Sequence, residues 1–290
     1  MTGAGSGTAA GGGFAARYRA VVGERGRLCA GIDPHAALLE QWGLPVTVDG
    51  LREFAQACVT GLGPTAAVIK PQVAFFEVFG SAGLAVLEET IAGCREAGAL
   101  VLADAKRGDI GSTMAAYTTA WLDDVSPLCS DAVTASPYLG FGALDPALAQ
   151  ARATDRAVFV LARTSNPDGA RLQTARTDQG RSVAQSIVDA AAAANADGSA
   201  TAGVVVGATR EHGLDLSELS GPILSPGLGA QGATAQDLAV IFADTADLRW
   251  LLPAASRSIL AAGPVPAALA AAVEATRDEI ETALIGPNRS

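Results

Sequence analysis

Eight short apolar runs, each trailed by a longer stretch of helical periodicity in one chain of 290 residues, predict an α/β fold: a (β/α)8 TIM barrel in a single domain. Strands separated by helices must run parallel, because a parallel neighbour is reached only through a crossover. Eight such units point to a closed barrel more than to an open doubly wound sheet. No G-x-G-x-x-G follows the first run, which weakens a dinucleotide-binding alternative.

Residues 1–12 are almost entirely Gly, Ala, Ser and Thr, a composition that cannot offset the entropy of ordering. A mobile tail is expected there, with the barrel domain over 13–290. The candidate strands are Leu28–Asp33, Ala66–Lys70, Leu100–Asp104, Ala132–Ser136, Val158–Ala162, Gly203–Val206, Pro222–Ser225 and Trp250–Pro253. Each is a short apolar run, and most are bounded by Gly, Pro, Asp or Ser. Helical periodicity is expected near 49–62, 82–97, 110–123, 142–152, 179–195, 209–217, 234–242 and 264–285. The Gly/Ala stretch at 190–203 reads as an Ala-rich helix end and a short loop. Residues 37–47 are a longer insertion after the first strand to which the residues assign no role.

Apolar residues at 49% and charged residues at 17% describe a globular protein, and a formal net charge of -10 opposes a nucleic-acid surface. A small anion is still accessible to a local basic cluster. The four cysteines form no C-x-x-C pair and the only histidines are His35 and His212, so neither a zinc site nor a disulfide framework is expected. That pattern fits a reducing compartment, and the cytoplasm is the expected location. Residues 1–13 lack a signal-peptide pattern, and no apolar run is long enough to span a bilayer, so no membrane partner is expected.

Lysine occurs only twice, at Lys70 and Lys106, against 18 arginines, and both lysines end a short apolar run. A compositional preference for arginine explains their scarcity but not their placement. An ammonium is compact and can surrender its proton, whereas a guanidinium stays protonated. In a barrel, polar residues just after the strands face one mouth, where barrel enzymes build their sites. Those residues are Asp33, Lys70, Asp104, Lys106, Ser136, Ser165, Pro226 with Gln231, and Ser256 with Arg257. Asp33, Lys70, Asp104 and Lys106 would alternate in sign and hold one another ionised. A plain salt-bridge plug stays open as an alternative, although Gly108 and Gly111 keep the backbone beyond Lys106 open, which a plug does not require. Ser165 can equally be a loop or N-cap serine, and Arg257 a solvated one.

The motif Asp104-x-Lys106-x-x-Asp109, continuing as Ile110-Gly111-Ser112-Thr113, resembles the signature of the orotidine 5′-phosphate decarboxylase family. The likeness extends to Gly31-Ile32-Asp33, Val68-Ile69-Lys70-Pro71-Gln72 and Phe75-Phe76-Glu77. It continues in Ser136-Pro137-Tyr138-Leu139-Gly140, Thr164-Ser165-Asn166-Pro167 and Ser225-Pro226-Gly227-Leu228-Gly229-Ala230-Gln231, segments similar to the longer bacterial subfamily. The resemblance implies a cofactor-independent decarboxylation of orotidine 5′-monophosphate to UMP in pyrimidine biosynthesis. Lys106 would stabilise and protonate the C6 carbanion, with Asp104 beside the departing carboxylate. Lys70 and Asp33 would hold the ribose and complete the charge array. Asp109, Ile110 and Thr113 would serve the neighbouring subunit's pocket, which implies a homodimer. Ser165 would meet the pyrimidine amide edge, while Gln231 and Arg257, with Pro226 and Ser256 nearby, would hold the phosphate under a lid at 230–237, with a possible partner at 169–179. The family's Gly-Arg pair after the last strand is replaced by Ser256-Arg257, which weakens the assignment of Ser256.

Three rival chemistries share parts of this pattern. Sugar-phosphate lyases sharing D-x-K-x-x-D place a magnesium-binding carboxylate where this chain has Lys70. A Schiff-base aldolase would need a neutral amine, which flanking carboxylates oppose. A noncatalytic nucleotide-binding barrel would tolerate loss of Lys106.

Overall fold

The computed structural model describes residues 13–208, 211–229 and 232–285. Its eight strands are β1 (Cys29–Ile32), β2 (Val68–Pro71), β3 (Leu100–Arg107), β4 (Ala132–Ala135), β5 (Ala157–Arg163), β6 (Ala202–Val206), β7 (Ile223–Pro226) and β8 (Leu251–Ala255). All neighbours pair in parallel and β8 returns to β1, closing the barrel in sequence order. Every expected strand is present within one to three residues at its ends.

The helices are α1 (Phe14–Arg25), α2 (Ala36–Gln41), α3 (Val48–Leu62), α4 (Val73–Glu77), α5 (Gly80–Glu96), α6 (Gly111–Leu122), α7 (Asp145–Ala153), α8 (Ala170–Gln173), α9 (Val183–Ala194), α10 (Ala235–Ile241), α11 (Arg257–Leu260) and α12 (Pro266–Ile285). Side-chain oxygens set several starts: Thr47 caps α3, Ser182 caps α9, and Thr234 forms a capping box with Asp237 on α10.

Two clusters make the core. One lies between the outer faces of the strands and the helices. The other fills the barrel with alternate strand residues, among them Cys29, Val68, Leu100, Leu102, Ala132, Ala157, Phe159, Leu224 and Leu252. Side chains along a strand alternate with period two, so Lys70 follows Val68 inward, Asp104 follows Leu102, and Thr134 follows Ala132. Apolar layers below thus hand over to a polar layer at the C-terminal mouth.

The layout departs from expectation in the short helices α2, α4, α8 and α11, which were not foreseen, and in two larger features. No helix occupies 211–217. Gly213 sits at φ 66°, and side chains take over the backbone bonds: Gln185 receives the Asp215 N–H at 2.8 Å and donates to its carbonyl at 3.0 Å. The expected helix at 209–210 lies outside the described residues, as does the tail at 1–12. Conversely, α1 was not expected. It closes the N-terminal end of the barrel, with Phe14, Tyr18, Val21 and Val22 buried and the Tyr18 ring stacked on Trp250 at 5.3 Å.

The insertion at 37–47 contributes a wedge. Leu38, Leu39 and Trp42 are buried, the Trp42 ring lies 4.3 Å from that of Phe54, and its Nε1 donates to the Leu260 carbonyl at 3.0 Å. That bond ties the insertion to the end of α11, the short helix that begins with Arg257.

Candidate active site

Three strand ends, those of β1, β2 and β3, bring the two lysines together. Lys70 Nζ lies 3.0 Å from Asp104 Oδ2 and 3.9 Å from Asp33 Oδ1, while Lys106 Nζ lies 2.6 Å from Asp104 Oδ1. Asp104 is therefore bridged by both ammonium groups, one on each oxygen. Lys70 also donates to Gln72 Oε1 at 3.3 Å, and Gln72 forms a parallel bridge with Asp104 across the β2 and β3 ends.

The backbone at this point is not a regular strand. Ala103 pairs with Val133, but Arg107 pairs with Ala135, so β3 inserts extra residues opposite β4. Within this bulge Lys106 takes φ 49°, a conformation uncommon for any residue but glycine. Arg107 then turns outward to Glu77 and lies over the rings of Tyr117 and Trp121. Gly108 passes so close to β4 that a Cβ there would fall 2.4 Å from the Ser136 carbonyl oxygen. The glycine is thus required by close approach.

Electrostatics follow from burial and pairing. Burial alone would raise the Asp104 carboxyl, but the charges and hydrogen bonds of Lys70 and Lys106 prevail and bring it down to about 2. Burial would lower the Lys70 ammonium, yet Asp104 and Asp33 hold it well above the usual lysine value. Both groups are ionised at neutral pH. Such an array is expensive to desolvate and is weak evidence of a stabilising role.

A cavity of about 330 Å³ opens over this cluster. Asp33, Lys70, Asp104 and Lys106 form one side, and Ser165, Pro226, Ser256 and Arg257, from the ends of β5, β7 and β8, form the other. Gly31 keeps the floor open, since a Cβ there would meet the Ser256 Cβ at 2.6 Å and Asp33 Oδ1 at 3.4 Å. Asp33 Oδ1 and Ser256 Oγ are buried without a hydrogen-bond partner among the described residues. Ser256 therefore belongs to the cavity wall despite its departure from the expected Gly-Arg pair.

Three further candidates lie elsewhere. Ile110 and Thr113 are exposed, Asp109 is half-buried, and none of the three lines the cavity of its own chain. Gln231 lies outside the described residues; just beyond it, Ala233 pairs back onto Leu228. Sequence reasoning missed Thr134, Thr164 and Asn166, which also line the cavity. Thr134 was legible as an inward position two residues before Ser136, but its partners belong to a neighbouring strand. Gln173 receives the Thr164 N–H at 3.1 Å and donates to the Thr164 hydroxyl at 2.8 Å, which holds the loop carrying Ser165 in place.

Known proteins resemble this chain over most of its length. A protein of Corynebacterium glutamicum (strain R) named orotidine 5′-phosphate decarboxylase is 59% identical over 245 residues, covering 83% of this chain and 87% of its own. One of the same name from Salinispora tropica is 55% identical over 276 residues, covering 94% and 99%. A Streptomyces avermitilis crystal structure matches with a TM-score of 0.91 at 50% identity, covering 94% of this chain and 96% of that one. The Leishmania donovani OMP decarboxylase structure matches with a TM-score of 0.74 at 31% identity, covering 94% and 100%. With its family model matching residues 26–272, the orotidine 5′-phosphate decarboxylase / HUMPS family is the one to which this chain belongs.

Proposed function

We propose that the chain decarboxylates orotidine 5′-monophosphate to UMP in pyrimidine biosynthesis, with Lys106 at the reacting carbon. The observation that carries this reading is the double bridging of Asp104 by Lys70 and Lys106 at the floor of a nucleotide-sized cavity. Loss of CO2 from C6 leaves an electron pair in an sp² orbital in the ring plane, where the π system cannot delocalise it. A preorganised positive charge beside C6 meets that need. The Lys106 ammonium supplies it and then transfers a proton to C6, leaving a neutral amine that regains its proton from solvent. Arginine is too weak an acid for that second step.

The other residues take complementary roles. Asp104 orients Lys106 and faces the departing carboxylate, Lys70 and Asp33 hold the ribose hydroxyls, and Ser165 meets the amide edge of the base. Arg257 and Ser256 hold the phosphate, whose remote binding energy helps order the surrounding loops. The HUMPS reading, a sugar-phosphate lyase dependent on a divalent cation, is disfavoured by Lys70, whose ammonium sits between Asp33 and Asp104 where such a cation would bind.

The enzyme acts as a homodimer in this reading, each chain lending Asp109, Ile110 and Thr113 to its partner. Ile110 at 61% exposure, with Tyr138 and Leu139 on the adjacent loop at 76% and 53%, supplies an apolar rim suited to that contact. A cytoplasmic location accords with four buried free cysteines. No helix among the described residues is long and apolar enough to cross a membrane. The decisive assay follows the ultraviolet band of orotidine 5′-monophosphate with chelator-treated protein. Decay of the band with UMP as product is expected; no decay, or decay only after a metal is restored, refutes the cofactor-free reaction.

A further inference from the structure

We propose that Thr134 is a positioning residue that sets the Lys106 ammonium over the reacting carbon. The inference rests on the decarboxylase reading and adds a residue outside the charged array. The Thr134 hydroxyl donates to Asp104 Oδ1 at 2.8 Å, the same oxygen that receives the Lys106 ammonium at 2.6 Å. It also accepts the backbone N–H of Lys106 at 2.9 Å. One buried hydroxyl, 1% exposed, thus fastens both the carboxylate and the main chain of the residue that must deliver the proton.

The bulge explains why a side chain is needed. Between Ala103 and Arg107 the β3 ladder loses register with β4, so the Lys106 N–H has no β4 carbonyl opposite it. Buried N–H groups require a partner, and Thr134, which points inward from β4, supplies one. Lys106 holds φ 49°, a conformation that persists only where its surroundings enforce it. Without the hydroxyl, Asp104 loses a donor and the bulge loses its pin. The Lys106 side chain, nearly half exposed, then regains freedom toward the open mouth.

The test compares Thr134→Val, which keeps the shape and removes the hydroxyl, with Thr134→Ser, which keeps the hydroxyl. The valine enzyme should bind UMP with a dissociation constant within about threefold of the parent, while kcat falls about tenfold to a hundredfold, the scale on which small misplacements act. The serine enzyme should keep kcat within about threefold. If valine does not fold, as judged by UMP binding and circular dichroism, Thr134→Ala carries the same comparison. A hydroxyl-free variant with parental kcat overturns the proposal, as does a folded serine variant as slow as valine. Parental protein that fails to decarboxylate the substrate counts against the function itself, and is thereby separate from failure of the Thr134 role.

Discussion

Replacing Asp104 by Asn tests the charge array without reference to turnover. Asp104 is 8% exposed and its carboxyl is drawn from an ordinary 3.8 down to about 2 by Lys70 and Lys106. At about 1.4 kcal/mol per pH unit, that depression represents about 2 kcal/mol of folding stability at neutral pH. Because the folded value lies below the unfolded one, the contribution is complete above about pH 5. It is lost as the pH falls through 3.8 toward 2. An asparagine has no such dependence. Asp104→Asn also strands the buried Lys70 ammonium with Asp33 at 3.9 Å as its one remaining carboxylate, adding to the loss. The expected destabilisation at pH 7 is about 3 kcal/mol, read from urea unfolding of parent and variant. Titrating the same pair from pH 7 to pH 3 should narrow the gap by about 1 kcal/mol. A gap that is constant over this range, or absent at pH 7, would refute the ionic account of the cluster.

Under the proposed mechanism Lys106→Ala removes both the charge and the proton donor, and should retain UMP binding measured by calorimetry yet lose about a thousandfold or more in kcat. Arg257→Ala should act mainly through KM, raising it about tenfold or more for the phosphorylated substrate with little change toward a nucleoside lacking phosphate. Mixing Asp109→Ala with Lys106→Ala protein should restore part of the activity if each pocket draws Asp109 from the partner subunit; no recovery at any ratio counts against sharing. Tyr18→Ala, at the closed end of the barrel and far from the mouth, should cost about 3–5 kcal/mol in thermal or urea unfolding while the folded fraction keeps its kcat.

The eight strands could be read directly because a barrel strand is buried on both faces and so appears as a compact apolar run. Lys70, Asp104 and Lys106 were legible for a related reason: a charge at the end of such a run has only the barrel mouth to occupy. Over the described residues 211–217 the expected helix is replaced by side-chain bonds to the backbone, among them those of Asp215 to Gln185, thirty positions away. Helix α1 carried a visible signal, the aromatic and apolar residues Phe14, Tyr18, Val21 and Val22 on one helical face, but its purpose as a barrel floor depends on Trp250 at the other end of the chain.

Local patterning alone thus determined the architecture and the four charged residues, since periodicity and strand-end position are properties of short segments. Tertiary structure decided which oxygen of Asp104 each lysine takes, where β3 bulges, and that a hydroxyl from β4 holds Lys106 in its left-handed turn. Those facts arise between strands rather than along them. Hydrogen-bond partners set by register across a closed sheet leave no trace in the spacing of either strand's own residues.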